Sequence, residues 1–377
     1  MTSAETPLAA KLKDRIRRAG PIGVDDYMQA CLHDPEHGYY RHRPAIGAAG
    51  DFVTAPEISQ VFGELIGLWC AVAWREMGAP ANLNLVELGP GRGTLMRDAL
   101  RAARIVPGFR AALAVHLVES NATLRSAQAA TLADCGVPLE FHDDVVEALN
   151  GRTRVGDGAT LVVANEFLDT LPIVQIAYRD GRWRDRVVIV DEASDDLAFD
   201  VDRNDEGWEH GRTHGLVPPD LIPQEGDIFE LSKHSTTLAT MLGARQSHGP
   251  ICALLVDYGH AKSGFGDTLQ GVAGQQHVSP FHAPGDTDLS AQVDFQRLAE
   301  ACRRAGLAVE TTLPQAELLG RLGIVERASR LMAANPARAA EIEAGVARLI
   351  QPSGMGSRFL ALGVRSEGVA PLPGFDR

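Results

Sequence analysis

Residues 83–95 read LNLVELGPGRGTL: a short apolar run, three glycines at alternate positions, then the opening of a helix. The run from Leu83 to Leu88 has the length and composition of a buried strand bounded by a turn. Residues 94–103 follow with the composition of a helix. Gly89, Gly91 and Gly93 allow a tight turn and let a ligand approach the backbone with no Cβ in the way. The helix beyond offers N–H groups that lack partners within the helix, together with a partial positive charge. Two familiar glycine turns are excluded. A dinucleotide turn, G-x-G-x-x-G, needs glycine where Thr94 stands, and a P-loop needs a G-K-[ST] that is absent.

Outward from this turn, strand and helix alternate. LAVHLVE (113–119) reads as a strand, 122–133 as a helix, and PLEF (138–141) and TLVVAN (160–165) as further strands. Such alternation predicts an α/β fold with a parallel, doubly wound sheet. Upstream, residues 1–82 form an N-terminal helical cap: helices over 8–19 and 24–32, a Gly- and Pro-rich loop over 34–56, and one helix from Glu57 to Met77 with apolar residues at helical spacing. Residues 83–170 are the first half of the sheet domain. After Pro172 the pattern becomes antiparallel, with strands 173–178 and 186–191 around a turn at Asp180-Gly181. Residues 171–245 are therefore read as a β-rich insertion. Residues 246–377 complete the sheet with strands at 251–259, 307–312 and 358–364, and carry a helical insertion over 314–350.

Composition narrows the function. The 377 residues carry 36 basic and 49 acidic side chains, a formal charge of −13. That balance argues against a nucleic-acid partner, which needs a basic footprint. Five scattered cysteines, Cys31, Cys70, Cys135, Cys252 and Cys302, contain no C-x-x-C pair and fit reduced thiols. No apolar stretch is long enough to span a bilayer, and the N-terminus lacks a secretory core. The expectation is a cytoplasmic protein in a bacterium, or a mitochondrial matrix protein in a eukaryote.

The pattern acid-x-G-x-G-x-G, from Glu87 to Gly93, resembles the S-adenosylmethionine turn of class I methyltransferases. That resemblance implies contacts to the cofactor from Glu87, Gly89, Gly91, Gly93 and Thr94. Glu119, ending the second strand, would accept hydrogen bonds from the ribose hydroxyls, and Asp143, after the third, would take the adenine amino group. The alternative is a Gly-rich turn with two solvated carboxylates at strand ends.

The whole chain resembles one family, the MidA-like group that includes a mitochondrial complex I assembly factor regarded as a protein arginine methyltransferase. The resembling stretches are DPEHGYY (34–40), GDFVTAPEISQVFGE (50–64), VELGPGRGTL (86–95), ANEFLDTLP (164–172), DYGH (257–260), DTLQ (267–270) and PGDTDLSAQVDF (284–295). The segment 271–283 and the tail MGSRFLALGV depart from the pattern, which leaves substrate choice less defined than cofactor choice. The resemblance implies a class I, Rossmann-like methyltransferase sheet with an N-terminal cap and inserted elements. It also implies methyl transfer to a protein arginine and a respiratory complex I subunit as partner. A homodimer is admitted.

Arginine is protonated at neutral pH, so its methylation calls for carboxylates that grip the guanidinium fork and take a proton. Glu166 and Asp169, after the fourth strand, are the first candidates; alternatively they favour the start of the next helix. Asn165 would bond cofactor or substrate. Glu57 is either an added acid from the cap or a first-turn residue of its own helix. Tyr258 lines the substrate channel or is an ordinary half-buried tyrosine. Asp51 and Phe52, with Gly47 and Gly50, read as a lid over the cofactor. His33-Asp-Pro-Glu36-His37 spells H-x-x-E-H, but Pro35 opposes the helix which that zinc motif requires. His260, His277 and His282 show no ligand spacing, and no metal is expected. The competing readings are a methyltransferase for a small molecule, an assembly chaperone that binds the cofactor without turnover and, most distant, a dehydrogenase.

Overall fold

The computed structural model describes residues 5–42, 53–149, 157–202 and 216–375. Its central sheet is formed by Leu83–Leu88 (β1), Leu113–Val118 (β2), Leu139–His142 (β3), Ala159–Asn165 (β4), Ile251–His260 (β5), Leu307–Val309 (β6) and Phe359–Ser366 (β7). The strands lie in the order 3-2-1-4-5-7-6. β1 to β5 run parallel, and β7 runs antiparallel to both β5 and β6. β1 and β4 are buried along their whole length, as strands covered on both faces must be. The strand order reverses between β1 and β4, and in an open α/β sheet that reversal opens a ligand crevice at the carboxyl ends of the strands.

The chain divides into two units. One, comprising Ile46–Asp169, Thr236–Ala261 and Val293–Arg377, carries this sheet. Its core packs Phe62, Trp69 and Trp74 with Leu85, Val115, Leu161 and Leu254 of the strands. Within it, helix Gln60–Glu76 meets helix Thr94–Ala102 almost backbone to backbone. A Cβ on Gly67 would lie 2.3 Å from the Ala99 carbonyl oxygen. Gly67 therefore sets the position of the helix whose N-terminus follows the glycine turn. Gly67→Ala should cost about 1–3 kcal/mol of stability through overpacking, read as a lower urea midpoint with an unchanged slope.

The single helix expected over Glu57–Met77 is two: Ala55–Ile58, then Gln60–Glu76. Ser59 between them is extended, and its Oγ accepts the Val61 N–H at 3.3 Å. The apolar spacing runs through this cap, so periodicity alone does not register the break. The segment 314–350 is helical as expected, in the helices Gln315–Arg321, Ile324–Ala334 and Ala339–Ile350.

The other unit comprises Met1–Ala45, Thr170–Ser235 and Lys262–Gln292. Strands Val174–Arg179 and Arg182–Val190 form the expected hairpin; Asp180 and Gly181 have φ of 52° and 73°, both left-handed as a two-residue hairpin turn requires. Ile228–Leu231 extends the sheet on one side, and Ile22–Gly23 and Leu197–Val201 pair with the other long strand. Ile176, Trp183, Phe229 and Leu231 form its core. A small sheet of Gln270–Ala273, Gln276–Val278 and Asp288–Ser290 also belongs to this unit. The β-rich insertion is thus not a self-contained 171–245 block. It shares its unit with the N-terminal helices and with residues 262–292, and Lys233–Arg245 is a helix. Long-range pairing of this kind leaves no local trace in composition.

Candidate active site

Gly89, Gly91 and Gly93 take φ of 66°, 52° and 79°, values that an L side chain adopts only under strain. A Cβ at Gly89 would also lie 3.0 Å from the Phe167 ring. Gln128, fully buried on helix Ala122–Thr131, donates from Nε2 to the Gly91 carbonyl at 2.6 Å and to Glu119 Oε2 at 3.4 Å. It ties the turn to the acid that ends β2. Glu119 Oε1 accepts the Asn121 N–H at 2.8 Å, and burial nonetheless holds its carboxyl above the usual range. Glu87 is buried at the end of β1, and burial pushes it up to about 8. Its Oε2 has no hydrogen-bond partner among the described residues. Thr94 donates its hydroxyl to Glu57 Oε1 at 2.5 Å, so Glu57 is fastened to the start of the helix after the turn. Asp143 stands exposed past β3, bound to Arg125 at 2.5 Å.

Beyond β4 a second group assembles. Glu166 has φ of 53°, a strained value for a residue with a Cβ. Its Oε1 accepts the Ala55 N–H at 2.8 Å and Asn165 Nδ2 at 3.1 Å. Burial, with Asp169 adding, pushes its carboxyl up to about 7. Asp257, fully buried on β5, accepts at Oδ2 the N–H groups of Phe167, Leu168 and Asp169 at 3.0, 2.7 and 3.2 Å. Burial and the neighbouring Asp169 and Glu166 hold Asp257 well above the carboxylate range. Asp169 therefore lies near enough to Glu166 and Asp257 to raise both carboxyls, beside the point where the sheet order reverses.

A sequence model of an S-adenosyl-L-methionine-dependent methyltransferase family matches residues 65–313. The chain is 35% identical to the mouse protein arginine methyltransferase NDUFAF7, mitochondrial, over 94% of this chain and 83% of that one. It is 33% identical to the Drosophila melanogaster homolog, over 95% and 84%. A Burkholderia thailandensis protein solved with bound S-adenosyl-homocysteine superposes with a TM-score of 0.83 at 25% identity, covering 98% of this chain and 94% of that one. The chain belongs to this methyltransferase family.

S-adenosylmethionine is the cofactor of this methyltransferase, as the glycine turn implies. Asp51 and Phe52, read as a lid with Gly47 and Gly50, lie outside the described residues. Tyr258 pairs in register with Phe359 on β7, their rings 5.7 Å apart. The H-x-x-E-H match is not a helical site: helix Val24–His33 ends at its first histidine, and Asp34 caps the turn by accepting the Glu36 and His37 N–H groups. Among the described residues no helix is long and apolar enough to cross a membrane.

One residue of the site has no sequence signal of its own: Gln128 reads as one more polar position on an amphipathic helix. Asp257 is legible as an acid at a strand end, within DYGH, but its hold on the loop after β4 is not. Asp257 positions the loop that carries Glu166 and Asp169. Asp257→Ala removes the shared acceptor of three N–H groups, each worth about 1–3 kcal/mol when left buried and unmet. Faster hydrogen exchange at residues 167–169 and a lower unfolding midpoint are the expected results.

Proposed function

We propose that this chain transfers the methyl group of S-adenosylmethionine to a guanidinium nitrogen of an arginine in a protein substrate. The cluster of Glu166, Asp169 and Asp257 at the reversal of strand order carries this reading. Gly89, Gly91, Gly93 and Thr94 would hold the cofactor at the helix N-terminus, Glu119 its ribose and Asp143 its adenine, while Glu87, which burial keeps protonated up to about 8, is a buried carboxyl that a bound positive charge would help to ionise. Bound there, the cofactor supplies an electrophilic methyl carbon on a sulfonium. Glu166 and Asp169 would grip the guanidinium and aim one nitrogen, and Glu166 would take the proton which that nitrogen loses on methylation. Asn165 holds Glu166 through its Nδ2, and Glu57 supports the cofactor end through Thr94. A carboxyl held near 7 is well matched to this proton.

The naming of the relatives as protein arginine methyltransferases supports the substrate class. The family resemblance adds a complex I subunit as target, in the mitochondrial matrix of a eukaryote or the cytoplasm of a bacterium; a homodimer is an open option. Calorimetric titration tests the substrate class. Loaded with S-adenosyl-homocysteine, the protein should bind an arginine peptide at least about tenfold tighter than the same peptide carrying citrulline, a neutral isostere. Equal binding of the two, or selective capture of neutral small molecules, would overturn it.

The raised carboxyl of Glu166 gives a pH signature. In the folded chain it stays protonated up to about 7, whereas in the unfolded chain it ionises near 4.5. The folded state therefore binds the extra proton between these values, and its stability falls as pH rises from about 4.5 to 7. Methyl transfer should rise across pH 7 as the carboxylate forms. Glu166→Gln should lessen the fall in stability over that window, to which the raised Glu87, Glu119 and Asp257 also contribute, and unfolding titrations at several pH values will measure the difference.

A further inference from the structure

His116 on β2 and Glu140 and His142 on β3 are brought together although no spacing in the sequence links them. In the parallel pair, His116 stands opposite Glu140, and Val118 opposite His142. Alternation along a strand then puts His116, Glu140 and His142 on the same face. Both histidines are buried. His116 Nδ1 lies 3.0 Å from His142 Nε2 and 4.0 Å from Glu140 Oε2, and one ligand atom from each of the three residues falls within 4.8 Å of the others. A divalent ion about 2.0–2.1 Å from each nitrogen holds tetrahedral ligand atoms about 3.3 Å apart, between the 3.0 Å and 4.0 Å separations of His116 from His142 and Glu140.

The surroundings orient the ligands as a metal would require. His116 Nε2 meets Asn84 Oδ1 at 3.2 Å, so the ring donates there and turns its Nδ1 lone pair toward His142 and Glu140. Outer contacts of this type fix the tautomer of metal-binding histidines. Glu140 Oε2 is buried without a hydrogen-bond partner among the described residues, although the rest of its side chain reaches solvent.

We propose that His116, Glu140 and His142 form a binding site for a divalent transition ion, zinc being the best suited, which ties β2 to the edge strand β3. Two imidazoles, one carboxylate and a solvent position make the ligand set. His142 immediately precedes Asp143, so an ion here would steady the strand ends that carry Glu119 and Asp143. The site lies apart from the methyl-transfer carboxylates and does not depend on the reaction assigned to them.

Cobalt is the probe. Full-length protein stripped with chelator should bind about one Co2+ per chain, with the visible absorption of a four-coordinate imidazole site that Zn2+ then bleaches. Glu140→Gln keeps the imidazole pair and should weaken binding at least about tenfold. His142→Ala should abolish the absorption. If removing a buried imidazole unfolds the chain, Glu140→Gln alone decides. Absence of the absorption in the parent protein, or affinity unchanged in Glu140→Gln, would overturn the proposal and leave a plain imidazole–imidazole hydrogen bond.

Discussion

Glu166→Gln and Asp169→Asn, made together, should lower methyl transfer about 10²–10⁴-fold while S-adenosylmethionine binds within a few-fold of the parent. The reason is charge. Both replacements keep the volume of the side chain. After Glu166→Gln an amide carbonyl oxygen can still accept the Ala55 N–H that Glu166 Oε1 accepts at 2.8 Å. What disappears is the negative charge proposed to grip a guanidinium and the site proposed to take its proton. The change also removes two members of a crowded carboxyl group, in which Asp169 and Glu166 both raise Asp257. The unfolding free energy of the variant above pH 7 should therefore equal or exceed that of the parent. A variant that loses turnover without losing stability separates this role from a first-turn helix contact, the other reading of these residues.

Gly91→Val should show the opposite pattern, with cofactor affinity falling about 100-fold or more. At φ of 52° a β-branched residue is a genuine outlier, and the left-handed conformation costs about 1–2 kcal/mol. The turn has little room to relax, because Gln128 holds the Gly91 carbonyl at 2.6 Å. Binding must then restore the strained turn, and the added side chain would also cost a backbone contact to the cofactor, each hydrogen bond to a charged group being worth about 1.5–3 kcal/mol. At 1.4 kcal/mol per tenfold, the two effects reach about two orders of magnitude. Calorimetric titration with S-adenosylmethionine measures this directly. Affinity within a few-fold of the parent would mean that the turn does not carry the cofactor.

The contrast between these residues explains what is legible in the sequence. The strand LNLVEL, the alternating glycines and the acids at strand ends are local patterns, and each decides its own geometry. The parallel run of the strands follows from their rhythm with the helices. Gln128 is hidden because a buried glutamine on a helix differs from a solvated one only in what lies across from it. Asp257 acts through three N–H groups some 90 positions away in the chain, and no spacing announces that. The break at Ser59 escapes notice because its cap interrupts the backbone without interrupting the apolar stripe. The composition of the second unit is hidden for the same reason at larger scale: Ile22–Gly23 pairs with Arg182–Val190, a contact visible only in the folded chain.

The most direct measurement is the chemical identity of the methylated product. The purified protein would be incubated with methyl-labelled S-adenosylmethionine and a protein extract from its own source, and the labelled proteins hydrolysed to amino acids. The account predicts label in methylated arginine, abolished by the Glu166→Gln, Asp169→Asn pair. Label in lysine, or only in small molecules, would contradict it, as would arginine labelling that survives loss of both carboxylates.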